Sequence, residues 1–143
     1  MLLEAMRLKA VPRAGWLRAG IGAPESVAAH SWGIALIALS VPAEELDLGR
    51  VLAFATLHDL AEVRTGDITP HDPISAEQKH TLEHAAATAM LIDSPKLFKL
   101  WRAYEAQACA ESRWVRQLDR LDMALQAIVY AAQGHPTAEF IRS

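Results

Sequence analysis

The sequence predicts an all-α fold, a single-domain helical bundle of about five to six helices spanning residues 1–143. Three observations carry that expectation. Apolar residues recur at helical spacing with no sustained alternation, proline and glycine fall between the periodic stretches, and 143 residues, 52% of them hydrophobic, are enough to bury one core. No internal repeat, linker or low-complexity tract divides the chain.

The elements follow in order. A first helix is expected over residues 2–9, ending before Pro12, and the glycine- and proline-rich stretch "VPRAGWLRAGIGAPE" reads as a loop long enough to be functional. Ser26, with Glu25 beside it, is a natural N-cap for a second helix that runs to Ser40 before Pro42. Asp47 caps a third helix that continues to about Arg64 and stops at Gly66. "TGDITPHDPI" is a second loop, because its prolines and turn formers interrupt any period. Ser75 with Gln78 forms a capping box for a fourth helix reaching Leu91 or Ile92. Pro95 suits the first turn of a fifth helix over 95–108, and a long last helix over 110–133 is closed by Gly134 and Pro136.

Composition excludes several classes of function. The net charge is −3 with both signs dispersed, so no basic stripe exists to meet a nucleic acid duplex. Cys109 is alone and supports neither a disulfide framework nor a cysteine-rich zinc site, which points to a reduced, cytoplasmic setting. The N-terminus lacks the long apolar region of a signal peptide. The most apolar run, residues 27–41, is too short to span a bilayer and contains His30, so no membrane role is expected.

Charge is placed against the grain in three helices. Between Arg50 and Glu62 the only titratable residues are His58 and Asp59. Val51, Ala55, His58 and Glu62 share one helical face, with Asp59 turned by about 100° from His58, and both members of the pair are expected to be submerged. A buried carboxylate without a partner costs several kcal/mol, so the arrangement calls for a cation, a hydrogen-bond network or a metal. Asp59 could instead pair with Arg64 or another arginine. His30 shares a face with Ile34 and Ile37 in a segment free of lysine, arginine and carboxylate from Val27 to Val41. In the last helix Trp114, Leu118, Leu121, Leu125 and Ile128 form an apolar stripe, with Asp119 and Asp122 beside it.

Three helices thus each offer a ligand to one centre: His30, the His58–Asp59 pair, and Asp119 or Asp122. Imidazole and carboxylate without thiolate suit one divalent transition metal ion (Mn, Co, Zn, Fe or Ni) in a site with open positions. Such an ion activates water and polarises a phosphoryl oxygen.

These residues resemble the HD-domain metal-dependent phosphohydrolases, whose pattern is H…HD…D across separate helices. The likeness is closest to the HD-domain 5'-deoxynucleotidase group, through "LKAVPRAGW" (8–16), "PESVAAH" (24–30), "LHDLAEVRTGDITP" (57–70) and "RQLDRLDMALQA" (116–127). It covers nearly the whole chain. The resemblance implies metal ligands at His30, His58, Asp59 and Asp119, with Asp122 in support. It implies that Arg13 holds the phosphate and that Glu62 and Asp67 divide the acid and base duties on the attacking water and the leaving oxygen, in an order it leaves open. Trp16 and Lys79 join Arg13 as expected contacts to substrate. The implied reaction is hydrolysis of a (deoxy)nucleoside 5'-monophosphate. The alternatives are another small phosphoester, such as a cyclic nucleotide or an alarmone, with loop 12–25 as the seat of the difference, or a non-catalytic metal- or nucleotide-binding module.

Trp101, Tyr104 and Trp114 are expected to present an apolar face for a homodimer. The sequence stops soon after the last motif helix, where relatives often continue, so the cleft is expected to be more open or to be completed by a partner subunit. His71, His80, His84 and His135 match no metal position.

Overall fold

The computed structural model describes residues 1–41 and 43–141; the helix-stopping role expected of Pro42 and the last two residues lie outside the described residues. Helix α1 (Leu2–Ala5) tightens into a 3-10 turn (Met6–Ala10), after which Val11 becomes extended, as a residue before proline must. The backbone N–H of Val27 donates to Val11 (2.8 Å) and that of Arg13 to Glu25 (3.0 Å), which closes the segment between them into a loop with its ends pinned.

That segment is not all loop. Residues Ala14–Arg18 form α2, whose first free N–H, from Ala14, donates to Oδ2 of Asp67 at 2.9 Å. The cap lies 53 residues away in sequence, so no local signal could announce it. Helix α3 (Val27–Ser40) is capped as expected, Oγ of Ser26 accepting from the Ala29 N–H.

Helix α4 (Leu48–Leu57) starts on Asp47, which accepts from the Arg50 N–H. The continuous helix expected to Arg64 breaks over residues 58–61 and resumes as α5 (Glu62–Thr65). Through the break the N–H groups of Leu60, Glu62, Val63 and Arg64 each reach back three residues. This tighter winding swings Leu60 and Ala61 under helix α6 (Ala76–Met90), against Ala86, Ala87 and Met90, while His58 and Glu62 stay inside. Gly66, at φ 74°, ends α5 in the left-handed region, and the chain turns back there toward Arg13.

The Ser75–Gln78 capping box is present at the start of α6. Helix α7 (Pro95–Ala106) ends on Gln107, and α8 (Ala110–Ala132) leads to a final 3-10 turn (Ala138–Ile141). Among the described residues there is no strand beyond the single Pro12–Ser26 bridge.

Helices α3, α4 and α8 pack against one another pairwise, with α7 across α4. Ile34, Ala38, Val51, Phe54, Ala55, Tyr104, Val115 and Leu118 fill the space between them. The valine, leucine, isoleucine and phenylalanine side chains among them stabilise by about 1.5–3 kcal/mol each when fully buried. Trp16, Ile21, Ala127 and Tyr130 make a separate cluster at the other end of α8, joined by Phe140.

Two expectations about apolar surface are corrected. Of the predicted α8 stripe Leu118 is buried and Trp114 partly so; Leu121, Leu125 and Ile128 are 40–50% exposed, because the inward face of α8 is set by Val115, Leu118, Asp122, Ala127 and Tyr130. Trp101 and Tyr104 are core residues, so they do not form the dimer face expected of them.

Candidate functional site

The inward faces of α3, α4 and α8 converge on a polar point in an apolar interior. Helix α3 supplies His30, 1% exposed, and the end of α4 supplies His58, 5% exposed. Helix α8 supplies Asp119 and Asp122, one turn apart. Ligand atoms of His30, His58 and Asp119 lie within 4.8 Å of one another.

Each imidazole has one nitrogen committed to the protein. Nδ1–H of His58 donates to the Ala55 carbonyl at 3.0 Å, and since a carbonyl only accepts, Nε2 is the nitrogen free to face the centre. Nδ1–H of His30 donates to Oδ2 of Asp122 at 2.6 Å, and its Nε2 faces Oδ1 of Asp119 at 2.7 Å. Both Nε2 atoms are buried, and neither makes a well-aligned hydrogen bond although a carboxylate oxygen stands close to each. Oδ2 of Asp59 adds a further oxygen 3.1 Å from Nε2 of His58. Asp59 is not submerged as expected: its side chain is 20% exposed and forms part of a cleft wall. Nor does it pair with Arg64, whose guanidinium bonds Glu4 at 2.7 and 3.1 Å.

Two lone-pair nitrogens and several carboxylate oxygens facing one another are stable only around positive charge. Burial disfavours the charged form of His30, yet hydrogen bonds to Asp119 and Asp122 hold its pKa up at about 9. In His58 the neighbouring Asp59 charge likewise overcomes burial and raises the value. Burial acts against ionisation of Asp119 too, but its contact with His30 keeps that carboxyl below its ordinary value. A divalent cation would satisfy these nitrogens and oxygens together, and a donor set of imidazole and carboxylate fits a transition metal.

A chain of carboxylates leads away from this point. Glu62 is 5% exposed and hydrogen-bonded to both Asp59 and Asp67. Burial, with these two neighbours, raises its pKa well above the ordinary range, while the His58 imidazole holds Asp59 below it despite burial. Asp67 lies 3.5 Å from Nη1 of Arg13, and Glu25 lies 4.0 Å from Nε of the same guanidinium.

The structure brings Arg13, Asp59, Glu62, Asp67, Lys79 and Asp119 to one cavity of about 350 Å³. A second of about 390 Å³, lined by His58, Glu83, Tyr104 and Gln107, meets it at Asp59, Lys79 and Asp119. Both fall in the size range of small-molecule sites. Trp16 is not among the lining residues. Its ring is fully enclosed, 5.2 Å from Tyr130 and 4.8 Å from Phe140 between centroids, so the substrate contact expected of it is corrected to a packing role behind Arg13. His71 and His80 are exposed at the rim, and His84 packs on Phe98 and Trp101.

Three contributors escape a reading of the sequence. Glu25 looks like a helix-start neighbour of Ser26, Tyr104 like apolar surface, and Glu83 like one more solvated helix residue. The i,i+4 spacing of Lys79 and Glu83, which stand 3.7 Å apart, is the only signal among them.

Residues 5–142 match the family model described as HD domain. The chain is 39% identical over 143 residues to the Homo sapiens protein named 5'-deoxynucleotidase HDDC2, covering 94% of this chain and 70% of that one. A solved structure of a conserved hypothetical protein from Pyrococcus furiosus superposes with a TM-score of 0.82 at 35% identity, over 97% of this chain and 83% of that one. Another, of a predicted metal-dependent phosphohydrolase from Magnetospirillum magnetotacticum MS-1, gives 0.73 at 30% identity, over 88% and 66%.

Proposed function

Because the chain belongs to the HD-domain family, we propose that it is a metal-dependent phosphomonoester hydrolase that splits (deoxy)nucleoside 5'-monophosphates into nucleoside and phosphate. The observation that carries this reading is the convergence of Nε2 of His30, Nε2 of His58 and the Asp119 carboxylate beside a cleft that also holds Arg13. His30, His58, Asp59 and Asp119 would hold one divalent ion, whether Mn, Co, Zn, Fe or Ni. When bound, that ion supplies Lewis acidity toward water and a phosphoryl oxygen.

The remaining residues act around the phosphate. Arg13 is pre-aimed by Asp67 and Glu25 on either side of its guanidinium, and its fork suits two phosphate oxygens at once. Lys79, at the junction of the two cavities, adds positive charge on the opposite wall. As the P–O bond to the 5'-oxygen breaks, that oxygen needs a proton, and Glu62 is the group placed to give one. Asp67, hydrogen-bonded to Glu62 and paired with Arg13, accepts the proton released by the attacking water and can return it along the same bond.

A panel of deoxynucleoside 5'-monophosphates assayed with Mn, Co and Zn tests this. Phosphate release above the level of His58→Ala and Asp59→Ala controls is the expected result, and none under any metal would sink the reading. Turnover of cyclic nucleotides or alarmones alone would move it to another phosphoester, and tight nucleotide binding without product would make the protein a binding module. No described helix is long and apolar enough to cross a membrane. A cytoplasmic location belongs to the same proposal, as does a homodimer, for which the exposed Leu121, Leu125 and Ile128 supply apolar surface; sedimentation of the purified protein checks the latter.

A further inference from the structure

Gly33 stands in the middle of α3, between Trp32 and Ile34. Glycine in a helix interior costs about 1 kcal/mol relative to alanine, and the backbone at Gly33 has no positive φ that would demand it. Something other than helix formation keeps a side chain out of this position.

The reason lies on α8. A Cβ at Gly33 would collide with Oδ1 of Asp122 and stand 2.9 Å from its Cγ. The Asp122 carboxylate therefore points one oxygen at the bare backbone of α3, with its other oxygen 2.6 Å from Nδ1 of His30, one turn before Gly33. Asp122 is 9% exposed and has no arginine or lysine partner among the described salt bridges. The same turn of α8 carries Asp119, so one helix grips both nitrogens of a single imidazole.

We propose that Gly33 is a seat for the Asp122 carboxylate, and that this seat makes Asp122 the positioning residue for the metal centre. With the Nδ1 proton of His30 committed to Asp122, the ring is held in one tautomer and orientation, and Nε2 is offered toward Asp119 and His58. Neither Gly33 nor Asp122 touches substrate or ion. The inference rests on the reading of His30 as a metal ligand, and it adds a pair of residues on two helices that must match each other for that ligand to work. An outer hydrogen bond of this kind supports metal affinity by about 10–100-fold.

The test is a set of variants titrated calorimetrically with Mn²⁺ and Co²⁺ after removal of metal, with a thermal melt of each metal-free protein. Asp122→Ala and Gly33→Ala are each expected to weaken Mn²⁺ binding by about 10–100-fold. Asp122→Asn, whose amide oxygen can still accept from Nδ1–H, should stay within a few-fold of wild type, whereas Asp122→Leu, of similar volume but with no acceptor, should lose affinity as Asp122→Ala does; a merely space-filling role would restore affinity in both. Gly33→Ala should lower the melting temperature, and adding Asp122→Ala to it should raise the temperature again, because the new methyl group then occupies the space the carboxylate left. The double variant keeps the question answerable if Gly33→Ala alone does not fold. Wild-type affinity in Asp122→Ala, or independent and additive losses of stability from the two substitutions, would overturn the inference while leaving the metal centre standing. A wild-type protein that takes up neither ion would overturn both.

Discussion

Nε2 of His30 lies 2.7 Å from Oδ1 of Asp119, closer than a lone pair and a carboxylate can sit without a positive charge between them. In the metal-free protein that charge is a proton, held on His30 up to about pH 9 despite burial, by Asp119 and Asp122. Metal uptake must displace it. Binding should therefore release a proton at any pH below about 9, and apparent affinity should rise with pH toward that value. Calorimetry in two buffers of different ionisation enthalpy measures the release, and no difference between the buffers at pH 7 contradicts the assignment. The folded-state value is raised above the ordinary 6.5, so its contribution to metal-free stability is fully present below 6.5 and lost as pH rises through 9.

His58→Ala and Asp59→Ala should each lower phosphate release by at least about 10²-fold, since each removes a proposed ligand from a small donor set. Metal content after dialysis, measured beside the rates, should fall in parallel. Full activity with the metal lost would remove the ion from the chemistry.

Arg13→Lys keeps the charge and loses the fork. Charge-assisted hydrogen bonds contribute about 1.5–3 kcal/mol each, so loss of one to phosphate should lower kcat/KM by about 10–100-fold. Product inhibition by inorganic phosphate should weaken by a similar factor. Unchanged phosphate inhibition would place the anion elsewhere in the cleft.

Trp16→Ala should cost about 3–5 kcal/mol of stability, as expected for an enclosed aromatic ring packed on Tyr130 and Phe140. Trp16→Phe should fold and retain its KM for a nucleotide. A large rise in KM with little change in melting temperature would restore the substrate contact that burial argues against.

Glu83 gives a second pH dependence of the same sign, from a carboxyl in place of an imidazole. Burial, with Glu105 and Asp59 nearby and despite Lys79, raises its carboxyl from 4.5 to about 7. The folded protein then keeps a proton that the unfolded chain has released, so this contribution to stability is present below 4.5 and lost as pH rises through 7. Glu83→Gln should raise the melting temperature of the metal-free protein at pH 8 and change it little at pH 4. Equal effects at both pH values would show that the carboxyl ionises as it does in water.

The helical architecture and the titratable candidates buried in it were legible because they depend on local chemistry. Ser26, Asp47 and the Ser75–Gln78 pair cap helices through atoms three residues away, and His30 and His58–Asp59 stand out as titratable groups in apolar helical stretches. The break at 58–61 was not legible, since "HDLA" carries no proline or glycine and the tighter winding follows from where Leu60 and Ala61 pack. The α8 stripe misled for a related reason. Hydrophobicity marked one face, but the face turned inward is the one that carries Asp122 to His30.

Spacing, caps and the HD pattern are properties of short windows, and they mark the candidate residues for chemistry and the helices that carry them. Whether Trp16 meets substrate or core, whether Asp59 is submerged or lines a cleft, and why position 33 has no side chain are decided by contacts between distant segments. The Asp67 cap on α2 spans 53 residues, and the Asp122–His30 bond 92. Such contacts depend on how helices seat against one another, a geometry fixed by the simultaneous packing of several faces, which no single stretch of chain contains.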